Sequence, residues 1–345
     1  MKAVKLYEPG NLQVQDIEAP SIAADEVLLE VKAVGVCGSD IPRVLHKGAY
    51  KQGLTIGHEF SGVIAKVGES VQGWTAGQRV TVAPLVPCRT CEYCKAGLFS
   101  LCDDYDYYGS RTDGAMAKYI KVDPRNLVEL PSHVSYEAGA MIDPAANAIH
   151  GLWAGNMKAG DKVAVFGMGA IGLFAIQFAK ELGASTVVAI DIHDEKLKLA
   201  SQLGADITIN SRTNDPVEVI ERELGGIDFA YDLSGSPVCQ DQAVLACTKK
   251  GRVVYLGISH APLELSKESV NKILRYELSV HGSWNSFSNP FPGREWTYSA
   301  ELLAQGKLKA EPIISHRFAL DEAPDVFEKI KNRDIVFNKI MFLPT

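Results

Sequence analysis

A chain of 345 residues, 46% hydrophobic and 22% charged, can bury a core in each of about two domains without disulfide staples. Its net charge of −7 and pI near 5.7 disfavour attraction to a nucleic-acid backbone as the main activity, and any anionic ligand would need a local basic pocket. No apolar run of signal-peptide length opens the chain, so a cytoplasmic protein with no membrane partner is expected.

In chain order, the first half offers short β-type runs at 27–34, 60–67, 79–83 and 117–122, near-alternating and separated by glycine and proline. They predict a mostly antiparallel, partly open barrel. From about residue 147 the texture changes. Apolar strands at 162–166, 186–191, 207–209, 229–233, 252–256 and 278–281 alternate with helical stretches, which predicts a doubly wound parallel sheet. The uncharged stretch 163–179 is of marginal membrane-span length, but its three glycines and its switch from strand to helix pattern make it a buried strand–turn–helix. A loop rich in Ser, Asn and Pro follows Trp284, then a helix at 294–305, and the closing run 334–343 reads as strands. Six strands complete a parallel unit, so the tail should return to the first domain. The expected division is 1–147 with 288–345, and 148–287.

Gly167-Met-Gly169-Ala170-Ile171-Gly172 sits between the strand at 162–166 and the following helix. The first glycine permits a tight turn, the second lets backbone approach a pyrophosphate, and the third allows close helix packing, with free N–H groups at the helix start to bind the anion. Asp191, 19 residues beyond Gly172, can accept from the ribose hydroxyls and repels a 2′-phosphate, which favours NAD; Lys196 could close over the same ribose.

Cys88, Cys91, Cys94 and Cys102 lie within 15 residues. Four thiolates at such steps close a tetrahedral shell, which is structural zinc chemistry; an iron–sulfur cluster is the rival, but nothing else in the chain suggests one-electron chemistry. Cys239 and Cys247 stand at helical spacing with no evident role. Two further segments hold ligand types at strand ends beside glycines: Cys37-Gly-Ser39-Asp40, and Gly57-His58-Glu59. One thiolate, one imidazole and one carboxylate make a mixed shell that leaves an open position.

Together these segments resemble, over nearly the whole length, the zinc-containing medium-chain alcohol and polyol dehydrogenase family. The resemblance implies a GroES-like catalytic domain and a Rossmann domain, NAD and two zinc ions per chain. It implies that Cys37 and His58 ligate the catalytic zinc, and that Glu59 coordinates as in sorbitol-dehydrogenase-like members. Those members carry a further glutamate ligand before a proline; here Asp143-Pro144 keeps the charge and shortens the reach, so Asp143 is the fourth candidate at the catalytic zinc, to bind it directly, through water or not at all. Ser39 resembles the hydroxyl that passes the substrate proton outward, while Pro42 replaces the histidine that continues the relay in many relatives. Asp40 is expected to orient a metal ligand. The chemistry implied is oxidation through a zinc-bound alkoxide with hydride transfer to the nicotinamide.

The segments 37–43, 106–111, 282–284 and 290–296 resemble the branch of the family acting on sugar-alcohol phosphates. Oxidation of galactitol 1-phosphate to tagatose 6-phosphate is the implied reaction, with a free polyol such as sorbitol or xylitol, arabitol phosphate or threonine as alternatives. Arg43 and Arg111 lead the candidates for the phosphate. From a different class, a non-catalytic dinucleotide-binding protein stays open. The resemblance implies a homodimer or homotetramer.

Overall fold

The computed structural model describes residues 1–259 and 261–344, and these divide into two compact units. The first comprises Met1–Asp143, Ser286–Gly306 and Ala310–Thr345; the second comprises Pro144–Asn285 and Lys307–Lys309.

The first unit is built on the strand Val27–Gly35, whose alternate residues are buried, as a sheet with one core face requires. It pairs antiparallel with Glu59–Val67, Tyr119–Val122 and Lys339–Phe342, and Ile314–Phe318 extends the sheet in parallel beyond the last of these. Lys2–Glu8 pairs with Asn11–Asp16 and Leu54–Thr55 in a second small sheet. Val4, Leu29, Ile56, Phe60 and Phe342 fill the core of this unit.

The C-terminal tail does return to the first unit, but it differs from the expected strands. Only Lys339–Phe342 is a strand. The helix Ala323–Asn332 ends at Arg333, which turns left-handed at φ 61°, with the Asp334 N–H donating to Lys329 O at 2.9 Å; residues 334–338 then run without regular structure, the Asn338 N–H donating to Ser315 Oγ at 3.1 Å. Residues 117–118 are also short of the predicted strand, Ala117 making only an isolated bridge to Ala3.

The second unit is a six-stranded, wholly parallel sheet in the order Ile207–Asn210, Thr186–Asp191, Lys162–Phe166, Ile227–Asp232, Cys247–Tyr255, Ser279–Gly282. Its central strands are buried on both faces, which is why they read as unbroken apolar runs rather than alternations. Crossover helices are capped locally. Asp215 accepts from the Val217 N–H ahead of Pro216, and Ser266 accepts from Ser269. Cys247 opens a strand, after the helix Pro237–Leu245 that carries Cys239 has ended, so the two cysteines share no helix. Among the described residues no helix is long and apolar enough to cross a membrane.

Candidate metal centres and dinucleotide turn

Cys37 follows the end of the strand Val27–Gly35, and His58 and Glu59 stand where Glu59–Val67 begins. Antiparallel register places Gly35 opposite Glu59, so two segments more than twenty residues apart deliver their ligands to one point. The ligand atoms of Cys37, His58 and Glu59 lie within 4.8 Å of one another, and His58 and Glu59 are buried. A thiolate, an imidazole and a carboxylate at that separation fit a tetrahedral divalent ion with one position to spare. A Cβ on Gly35 would meet Glu59 Oε2 at 2.6 Å and displace that carboxylate.

Asp40, fully buried, accepts from the Cys37 N–H at 3.0 Å and from Arg43 at 3.2 Å. Its Oδ1 stands 3.3 Å from His58 Nδ1, close enough for an ion pair but off the hydrogen-bonding line. Burial works to discharge His58, but the Asp40 carboxylate and Cys37 outweigh it and hold its pKa well above the ordinary histidine value. A divalent cation at the centre reverses this preference, because only neutral imidazole ligates. Burial likewise raises Asp40, yet His58 and Arg43 leave its pKa lowered.

Sequence reasoning missed one member of the site. Lys339, 3% exposed, donates to Glu59 and, at 2.9 Å, to the Val36 carbonyl. The available signal was a single cation directly ahead of the apolar run 340–343. Asp143, at the start of the helix Ile142–Ala154 and buried, falls outside the group of three that shares one ligand distance. Burial, with Glu59 reinforcing and His58 opposing, pushes its pKa up to about 7. Tyr107 lays its ring edge-on to His58, centroids 5.6 Å apart.

Ser39 precedes the short helix Asp40–Pro42, and its side chain makes no capping hydrogen bond. Arg43 is occupied by Asp40, with its side chain 19% exposed. Arg111 lies in the turn after Asp106–Tyr107, its backbone N–H donating to Tyr107 O at 2.9 Å.

The four cysteines of the lobe also converge within 4.8 Å. Cys88 and Cys94 sulfurs are 4.0 Å apart, as are those of Cys91 and Cys102, near the edge of about 3.8 Å of a tetrahedron with zinc–sulfur bonds of about 2.3 Å. Backbone N–H groups are aimed at the sulfurs: Cys91 N to Cys88 Sγ at 3.4 Å, Cys94 N to Cys91 Sγ at 3.4 Å, Cys88 N to Cys102 Sγ at 3.3 Å. Such donors favour thiolates, and those from Thr90 and Cys91 draw the Cys88 thiol down to about 6, while burial pushes Cys94 up to about 12. Cys102→Ser is expected to halve a zinc content of two per chain and to open 88–102 to limited proteolysis; an unchanged cleavage pattern would show that the lobe folds without its ion.

In the second unit, the turn at Gly167 runs at φ 99°, which a side chain disfavours, and a Cβ on Gly172 would meet Gly167 O at 2.0 Å. A Cβ on Gly169 meets nothing within 4 Å, so the space beside it is open to a ligand, at the N-terminal end of the helix Ala170–Glu181 that carries Ala170, Ile171 and Gly172. Asp191 ends its strand and accepts from Met168 N at 2.7 Å and His193 N at 3.0 Å. Lys196 stands in the first turn of the helix Asp194–Gln202, half-buried.

Residues 23–132 match the alcohol dehydrogenase GroES-like domain, and residues 170–302 match the zinc-binding dehydrogenase domain. Galactitol 1-phosphate 5-dehydrogenase of Escherichia coli (strain K12) is 38% identical over 347 residues, covering 100% of both chains, and sorbitol dehydrogenase of Bacillus subtilis (strain 168) is 31% identical, covering 100% of this chain and 97% of its own. The crystal structure of the Escherichia coli galactitol-1-phosphate dehydrogenase superposes with a TM-score of 0.95 at 37% identity over 100% of each chain. A zinc-binding dehydrogenase from Sinorhizobium meliloti 1021, solved with NADP, gives 0.92 at 32% identity over 99% of each. Two converged ligand sets and both matched domains in one chain lead to one assignment: it belongs to the zinc-dependent alcohol dehydrogenase family, as an oxidoreductase of the polyol dehydrogenase type.

Proposed function

We propose that this chain oxidises a secondary hydroxyl of a sugar-alcohol phosphate, with galactitol 1-phosphate to tagatose 6-phosphate as the first reaction to test and NAD as hydride acceptor. The observation that carries the reading is the convergence of Cys37, His58 and Glu59 at one buried point. Zinc held there supplies Lewis-acid polarisation of a hydroxyl oxygen. The chain's own residues do the rest. Cys37 and His58 hold the ion, and Asp40 keeps the His58 ring oriented. Glu59 stands within ligand reach with its charge met by Lys339, and Asp143 adds a nearby buried carboxyl. The Ser39 hydroxyl caps nothing and takes the proton outward; Pro42 cannot receive it, so the relay continues through water, the cofactor ribose or another group.

Purified protein assayed for metal and for NAD reduction on galactitol 1-phosphate, sorbitol, xylitol, arabitol phosphate and threonine tests the reading. Two zinc ions with a preference for the first substrate support it. One zinc and no turnover would favour a non-catalytic dinucleotide-binding protein. The NADP-bound relative makes NADP the competing cofactor. Asp191→Asn keeps an acceptor for the Met168 N–H but removes the charge that repels a 2′-phosphate. It is expected to shift the NAD to NADP ratio of kcat/KM about tenfold towards NADP. No shift would remove Asp191 from cofactor selection. A homodimer or homotetramer formed through the edge strand Ser279–Gly282, where Val280 is exposed, is part of this proposal, and light scattering checks it.

A further inference from the structure

The two arginines singled out in the sequence have different surroundings. Arg43 is paired with Asp40 and serves the metal site through it. Arg111 is held between two aromatic faces: its guanidinium carbon lies 4.2 Å from the Tyr105 ring centroid and 4.9 Å from that of Tyr50. Asp103, Asp104, Asp106 and Asp113 surround it in sequence, yet among the described residues no carboxylate comes within ion-pair distance of it. Asp113 is instead engaged by Lys5 at 3.1 Å and by the Thr55 N–H at 2.8 Å. Tyr50 is 69% exposed, so the guanidinium it covers stands at the surface of the unit.

Contacts then lead inward from the guanidinium. Tyr105 packs edge-on to Tyr107 at 6.4 Å, and Tyr107 packs edge-on to His58 at 5.6 Å. The cation thus stands three contacts from a metal ligand, as expected for a group that binds the far end of an extended substrate rather than the reacting carbon. Rings over a guanidinium fix its plane and leave its edge N–H donors to point outward, the fork geometry that suits a phosphate monoester dianion.

We infer that Arg111, clamped by Tyr50 and Tyr105, is the residue that selects a terminal phosphate on the polyol, and that Arg43 has no part in phosphate binding. This rests on the proposed polyol-phosphate activity.

The test uses zinc-loaded wild type, Arg111→Ala, Arg111→Lys and Tyr105→Leu. Each is assayed on galactitol 1-phosphate and on galactitol, and inorganic phosphate binding is measured by calorimetry. Arg111→Ala is expected to raise KM for the ester about 10- to 100-fold, with a much smaller change in kcat and a matching loss of preference for ester over free polyol. Arg111→Lys keeps the charge without the fork and should fall between; Tyr105→Leu should lose part of the preference. Phosphate binding should weaken by the same factor as the ester, independent of turnover. A wild type that prefers the ester while Arg111→Ala keeps both preference and phosphate affinity overturns the clamp and leaves the proposed function standing. A wild type that turns over no ester overturns the proposed function; phosphate binding insensitive to Arg111, or absent, then overturns the clamp as well.

Discussion

Replacing His58 with alanine is expected to lower kcat/KM about 10³-fold, the rate equivalent of losing several kcal/mol of metal-supplied stabilisation, and to leave one zinc per chain in place of two. The reason is geometric. Cys37 and Glu59 would then be the only ligands remaining of the converged group of three, and Glu59 already has a partner in Lys339. The four-cysteine lobe holds its own set of ligands and should keep its ion. Metal analysis of the purified variant and steady-state rates at saturating cofactor check both halves. A variant that keeps two zinc ions and most of its activity would remove His58 from the centre.

Lys339→Met should have the largest effect on stability. The Lys339 and Glu59 side chains are 4% and 2% exposed, and the substitution keeps the side chain's length while removing its cation. A carboxylate left buried without a partner costs about 3–5 kcal/mol. The sign of the metal effect makes this distinctive. Without zinc the full penalty should appear in urea unfolding; with zinc bound, the divalent charge beside Glu59 takes over the neutralisation and the penalty should shrink. Adding Glu59→Gln to Lys339→Met removes the orphaned charge and should recover most of the metal-free loss, because contacting residues do not act additively. A small cost that is the same with and without zinc would show that Lys339 does not govern the charge of Glu59.

These two variants also mark how far the sequence could be read. The alternation of apolar strands and helices from 162 onward, and the glycines at 167, 169 and 172, announced the parallel sheet because each is a local pattern: strands buried on both faces must be apolar throughout, and a turn at φ 99° needs glycine. The four cysteines were equally legible, since their ligands come from one short loop. The closing run reads as strand from 334 onward on residue type alone, but among the described residues 334–338 pair with no neighbouring strand and only Lys339–Phe342 finds partners to pair with.

What tertiary structure alone decided is charge pairing across long sequence separations. Register in the sheet brings Lys339 onto Glu59, 280 residues apart in the chain, and no periodicity forecasts which carboxylate a buried ammonium meets. The arginines are a mixed case, since Arg43 meets Asp40 three residues away while Arg111 also meets the distant Tyr50. Residue type gives Arg43 and Arg111 equal claims on an anion, but folding sets one against the buried Asp40 and the other between two tyrosine rings. Local sequence determined the elements and the ligand types, because those follow from backbone and side-chain preferences; the partner of a charge such as Lys339 followed only from packing, because Coulomb energy in a buried site depends on distances that the chain acquires when it folds.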